Sequence, residues 1–150
     1  MNIEVREAHE SDIPGILSLT INELGYPGVT LDELSSKMSN MKAAGNYYFY
    51  VAVLSGHVVG YAGIAQEMAL EVQKDYFRIK EMAVSKEYQR MGIGSTLLRY
   101  IEDFATKKEI DYIVLSSRFH RADAHRFYER NGYAKTSYVF AKGNKRTEQE

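Results

Sequence analysis

"YQRMGIGSTLLRYIEDF", residues Tyr88 to Phe104, sets two glycines one residue apart and then begins an amphipathic helix. Ile93, Leu97, Leu98, Ile101, Phe104 and Ala105 fall on one face at helical spacing. Glycine in a helix's first turn is unfavourable by up to ~1 kcal/mol relative to alanine. Accepting that at both Gly92 and Gly94 points to backbone N–H groups brought close to something negative. Three readings compete. The first is a tight turn with no ligand. The second is a nucleotide loop. The third is a pyrophosphate held at the helix N-terminus by backbone donors, with Arg90 adding a charge-assisted contact. The nucleotide motifs fail on their own terms: a Walker loop needs a lysine that is missing, and a dinucleotide loop needs a third glycine where Gly94 is followed by Ser95, Thr96 and Leu97.

Outward from this turn the elements fall into order. Before it, Tyr76 to Val84 reads as a strand, and before that "YYFYVAVL" (47–54) and "VVGYAGIA" (58–65) form a hairpin across Ser55, Gly56 and His57. Two helices precede the hairpin. The first follows a capping Ser11 with Pro14 in its opening turn, buries Ile13, Ile16, Leu17, Thr20, Ile21 and Leu24, and ends at Gly25. The second starts on a Thr30–Glu33 capping box and carries a stripe of Leu34, Met38 and Met41 behind Leu31. A short strand over Asn2 to Arg6 opens the chain. After the glycine helix come an apolar strand "YIVLS" (112–116), a helix near Ala122 to Arg130 stopped by Asn131-Gly132, and a last strand from Tyr133 to about Phe140. The expected fold is mixed α/β: a mostly antiparallel sheet with one parallel strand-helix-strand crossover and helices on both faces, as a single domain over 1–150.

Composition narrows the function. The chain has 150 residues, 45% of them hydrophobic, 26% charged, with a net charge of −1 and no cysteine. The balance excludes a strongly basic nucleic-acid footprint. Disulfides, thiolate metal sites and a cysteine nucleophile are excluded outright, and no metal is expected. The start, "MNIEVREAHESD", lacks the apolar core of a signal peptide, and no run approaches the ~20 apolar residues of a membrane span. A cytoplasmic monomer or homodimer, touching neither nucleic acid nor membrane, is expected.

"QRMGIG", Gln89 to Gly94, following the strand "IKEMAV", resembles the acyl-CoA signature [QR]-x-x-G-x-[GA] of the GNAT superfamily of N-acetyltransferases. "ELGYP" (23–27) resembles that family's loop between its first two helices. "AHRFYERNGY" (124–133) resembles its second signature, a helix carrying a tyrosine before a glycine. The resemblance implies acetyl-CoA as co-substrate and an amine acceptor. It implies that Tyr76–Val84 and Tyr112–Ser116 splay apart, with the pantetheine arm on the backbone of Met82, Ala83 and Val84. It implies a pyrophosphate on Gln89, Arg90, Met91, Gly92, Ile93, Gly94 and Ser95, and further CoA contacts at Arg121 and Phe127. On this reading Gly92 and Gly94 leave room for phosphate oxygens.

Acetyl transfer to an amine requires a proton acceptor, an oxyanion donor and a leaving thiolate. Direct attack by the amine is expected, since no cysteine can form an acyl intermediate. The resemblance implies a backbone oxyanion donor near Met82 or Ala83, where the family's strand bulges, and Tyr128 as the group aimed at the thioester sulfur. Glu81, at the end of the central strand, is the candidate base, with His120 and His125 behind it; the alternative is a solvated strand glutamate or a partner for Lys80 or Arg78. Glu23 and Tyr26 are expected to contact the acceptor. Arg121 stands where many members carry asparagine, so it either reaches a CoA phosphate or caps its helix. Two other function classes are a non-catalytic acyl-CoA-sensing module and a basic-aromatic interaction face over Arg118–Arg130.

Overall fold

The computed structural model describes residues 2–145. Its backbone divides into two compact units between Leu115 and Ser116. The first holds β1 (Ile3–Glu7), α1 (Ile13–Asn22), α2 (Leu31–Ala44), β2 (Tyr47–Leu54), β3 (His57–Glu67), β4 (Tyr76–Val84), α3 (Ile93–Lys107) and β5 (Ile113–Leu115), with 3-10 turns before α1 and after β4. The second holds α4 (Ala122–Arg130).

The sheet order is β1-β2-β3-β4-β5, antiparallel except for the β4–β5 pair. Ser55 and Gly56 close the β2–β3 hairpin with φ of 50° and 80°, the signs that a two-residue turn matching strand twist requires. Strand alternation divides the side chains between two layers. Phe49 and Val51 of β2, Tyr61 of β3 and Ala83 of β4 pack with Ile13, Ile16 and Leu19 of α1 and Met38 of α2. On the opposite face Ala52 and Val59 pack with Ile93 and Leu97 of α3, and Phe77 stacks on Phe104 at 5.5 Å. Complete burial of nonpolar side chains such as Phe77, Leu97 and Ile101 is the main stabilising contribution, about 1.5–3 kcal/mol each.

Two expectations are corrected. The first helix is not capped by Ser11, which lies inside the 3-10 turn Glu10–Asp12. Asp12 stands at the N-cap without a side-chain bond to the helix; its buried carboxylate instead accepts the His9 N–H at 2.7 Å and both ends of the Arg6 guanidinium at 2.7 and 3.0 Å, anchoring the turn that leads into α1. The Arg6 hydrogen bonds hold its pKa below the ordinary carboxylate value. A bidentate, charge-assisted pair outcompetes a serine hydroxyl as anchor. Second, residues 133–140 form no strand, and Tyr138, Val139 and Phe140 are exposed. A strand needs a partner ladder, and among the described residues no strand follows β5 in the chain.

Candidate active site

The decisive local feature is a bulge in β4. Ile79 faces Ile64 of β3, but Glu81 faces Gly63, so Lys80 is an extra residue with no partner opposite. A bulge of one residue reverses the alternation that follows it. Phe77 and Ile79 therefore point to the α3 layer, whereas Glu81 and Ala83, only two and four residues on, point to the α1/α2 layer. The expectation placed this bulge near Met82 or Ala83; it lies two to three residues earlier.

Glu81 is thereby seated over Gly63. A Cβ built on Gly63 would stand 2.9 Å from Glu81 Oε1 and 3.4 Å from the Phe49 ring, so only glycine leaves the carboxylate its place. Among the described residues no donor hydrogen-bonds this carboxylate. Burial pushes its pKa up from the ordinary value, and the charges of Lys80 and Lys37 oppose that shift without cancelling it. Neither Lys80 nor Arg78 is its ion-pair partner: Arg78 Nε instead holds Glu67 at 3.1 Å. Beside Glu81 on β3, the Tyr61 hydroxyl lies 3.3 Å from Thr20 Oγ1, and burial pushes its pKa up to about 12. Tyr61 and Gly63 escape a search for motifs; a glycine inside an apolar strand is the one signal that marks a close approach here.

The backbone of β4 changes at the same point. β5 pairs with Phe77, Arg78 and Ile79 and then ends, so the edge beyond Ile79 has no strand partner among the described residues. Ser85 N–H donates to Val59 C=O at 2.8 Å, which fixes the phase of the β3 ladder. Alternation then gives Ala83 and Glu81 the bonds to Tyr61 and Gly63, and turns the N–H and C=O groups of Met82 and Val84 to the open edge. Gln89 Nε2 reaches the Val84 carbonyl at 3.4 Å. Of the three residues expected along the pantetheine arm, Met82 and Val84 turn their backbone groups to the open edge, and Ala83 turns its own to β3.

The glycine turn follows. Arg90 and Gly92 are left-handed, with φ of 67° and 82°, and Met91 between them is not. Such alternation turns successive N–H groups toward one side, as in anion-binding nests. Among the described residues no acceptor takes the N–H groups of Arg90, Met91 or Gly92, and those of Ile93, Gly94 and Ser95 are the unpaired first-turn donors of α3. Thr96 N–H and Oγ1 both close on the Gly92 carbonyl, at 3.0 and 2.7 Å. A Cβ on Gly92 would meet nothing within 4 Å, so the backbone angle, not crowding inside the protein, explains that glycine.

Glu23 has a local duty: its Oε2 accepts the Lys86 N–H at 2.9 Å, tying the end of α1 to the 3-10 turn after β4. Tyr26 is half exposed nearby in the chain. In the second unit, Phe127 and Tyr128 are partly buried with rings 5.2 Å apart. Burial raises the Tyr128 pKa, opposed by the Arg121 charge. His125 Nε2 is bonded to the Arg118 carbonyl at 2.8 Å, His120 is exposed, and Arg121 stands at the N-cap of α4 without a side-chain cap bond. Among the described residues no group of three or more His, Asp or Glu side chains is arranged to hold a metal, and no helix is long and apolar enough to cross a membrane.

Known proteins agree with this architecture. The chain is 29% identical over 143 residues to an aminoalkylphosphonate N-acetyltransferase of Salmonella typhimurium, covering 93% of this chain and 90% of that one. The fold matches an aminoglycoside acetyltransferase from an uncultured soil metagenomic sample, crystallised with trehalose, at a TM-score of 0.84 and 20% identity over 95% and 97% of the two chains. It also matches a GNAT family acetyltransferase of Staphylococcus aureus at a TM-score of 0.80 and 24% identity over 96% and 100%. The model of the acetyltransferase (GNAT) family matches residues 19–133, which take in α2, the bulged β4, the glycine turn and α4, and the chain therefore belongs to that family and is an acyltransferase enzyme.

Proposed function

We propose that this enzyme transfers an acetyl group from acetyl-CoA directly to a primary amine within a ternary complex. The observation that carries the reading is the second half of β4, where, among the described residues, a carboxylate without a hydrogen-bond partner and an unpaired backbone edge occur side by side. The residues fit acetyl-CoA: Met82 and Val84 offer strand-like backbone groups to a pantetheine amide, and the N–H groups from Arg90 to Ser95 suit a pyrophosphate. Acetyl-CoA would supply the acetyl group as an activated thioester.

Glu81 accepts the proton that the amine loses on attack. Its raised pKa suits that role, because a base closer to neutral pH captures a proton more completely than an ordinary carboxylate. The Met82 N–H, preorganised on a strand and free of the ladder, donates to the acetyl oxygen as negative charge develops there. Tyr128 is proposed as the proton donor to the departing thiolate, with Arg121 and Phe127 contacting CoA, all three on the strength of the family resemblance. Tyr26 is proposed on the acceptor side; Glu23 supports that side through its bond to Lys86. Aminoalkylphosphonates and aminoglycosides, named for the relatives above, are the first acceptors to assay, beside other small amines and protein N-termini.

The test is thiol release from acetyl-CoA across an amine panel, which the absence of cysteine keeps free of background. Turnover on at least one amine is expected, with Tyr128→Phe lowering it about 10–100-fold at near-normal acetyl-CoA affinity. Acetyl-CoA binding without thiol release on any amine would instead favour a sensing module.

A further inference from the structure

On the acceptor side of Glu81 the described charges do not balance. Two ammonium groups, Lys80 of β4 and Lys37 of α2, act on the Glu81 carboxylate, and Glu67 and Arg78 lie along β3 and β4. Glu67 and Arg78 neutralise each other at 3.1 Å. Glu23, the next carboxylate along the chain from α1, is bound to the Lys86 N–H. That leaves one carboxylate, Glu81, and two ammonium groups. Lys80 is the bulge residue itself, so it shares with Glu81 the place opposite Gly63. Lys37 lies about 60° around α2 from Leu34, at the rim of the Leu34, Met38 and Met41 stripe that packs on Phe49 and Tyr61. Both lysines are exposed, both act electrostatically on the Glu81 carboxylate, and among the described residues neither has a carboxylate within ion-pair distance.

A site built for a polycation would not look like this. A second ammonium on the acceptor would meet Lys37 and Lys80, and like charges brought together discriminate strongly against a ligand. An acceptor carrying an anion a few bonds from its amine places opposite charges on both counts: the amine at Glu81, the anion at the lysines. We propose that the acceptor of this enzyme bears an acidic group as well as its reactive amine, and that Lys37 and Lys80 bind that group beside Glu81. The proposal rests on the acetyl-transfer reading and narrows its substrate class to amino acids in the broad sense, with carboxylate, phosphonate or phosphate as the acid.

Three amines of equal length separate the possibilities: 3-aminopropylphosphonate, propylamine and 1,3-diaminopropane, each assayed by thiol release at one pH and low ionic strength. The kcat/KM is expected to fall in that order, with the phosphonate about tenfold or more above propylamine. Lys37→Gln with Lys80→Gln should bring the phosphonate-to-propylamine ratio to within about twofold of one, through KM more than kcat. Lys107→Gln, at the far end of α3, should keep it. Equal use of the three amines, a preference for the diamine, or a phosphonate preference that survives the double variant would overturn the acidic-acceptor proposal while leaving acetyl transfer standing. Thiol release with none of the three but with amines of the wider panel that lack an acidic group would overturn this inference alone, and thiol release with no amine at all would overturn the transfer reading with it.

Discussion

The two halves of β4 are one continuous strand with opposite properties. From Phe77 to Ile79 it is flanked by β3 and β5, its apolar side chains are buried in the α3 layer, and its one charged residue is paired. From Glu81 to Val84 it has, among the described residues, a strand partner on one edge only, and its first side chain is a carboxylate that none of them pairs. Lys80 alone separates them. The difference teaches how a fold confines its unfavourable features. An unmatched backbone edge and a desolvated acid both work against stability. Here they are collected in four residues, braced by a half that is fully satisfied.

That contrast can be broken at either half. Phe77→Ala, in the braced half, should lower stability by about 3–5 kcal/mol, because the side chain is fully buried against the Tyr48 and Phe104 rings. Denaturant unfolding measures this. Glu81→Gln, in the open half, should lower turnover by about 100-fold and raise stability at neutral pH. The sign follows from its raised pKa: the folded state favours the proton, so ionisation at neutral pH opposes folding, and the amide removes that penalty. Below the ordinary carboxylate range Glu81 is protonated folded and unfolded, and the stability gain should vanish. A thermal melt at two pH values decides it.

Asp12 supplies the opposite pH sign. Its lowered pKa stabilises the fold above the ordinary carboxylate range, and that contribution is lost as the pH falls through the folded value. Asp12→Ala should therefore cost about 2–3 kcal/mol at neutral pH, since Arg6 and the His9 N–H both lose their acceptor, and much less in acid. Gly92→Ala should be the smallest effect, about 1 kcal/mol, set by the positive φ rather than by contact. The same substitution should weaken acetyl-CoA binding only if the ligand lies against that Cα.

What the sequence disclosed, and what it hid, follows the same division. β4 reads off its residues from Tyr76 to Val84, the β2–β3 hairpin from its turn, and the glycine helix from its apolar face, because each rests on local periodicity or local turn chemistry. Glu81 is legible as a candidate by its place in the strand. Its direction is not, since a bulge depends on how β3 and β4 register, and nothing in "RIKEMAV" marks Lys80 as the extra residue. The Arg6–Asp12 anchor is hidden for a similar reason: it joins β1 to the turn before α1, and local rules favour Ser11. The strand expected over 133–140 has the right side chains but lacks the partner ladder that a strand needs. Lys37 comes to the acceptor face only through the packing of α2 on the sheet.

The most direct test of the account replaces one atom. An amide-to-ester substitution at Met82, introduced with the α-hydroxy analogue of methionine, deletes the first of the two N–H groups, those of Met82 and Val84, that β4 turns to its open edge, and leaves every side chain in place. Turnover on the best amine is expected to fall about 100-fold or more, with stability changed by less than about 1 kcal/mol, because that N–H makes no ladder bond within the fold. Full turnover in the Met82 ester protein would contradict the account, since the Met82 N–H would then not be the donor that the reaction uses.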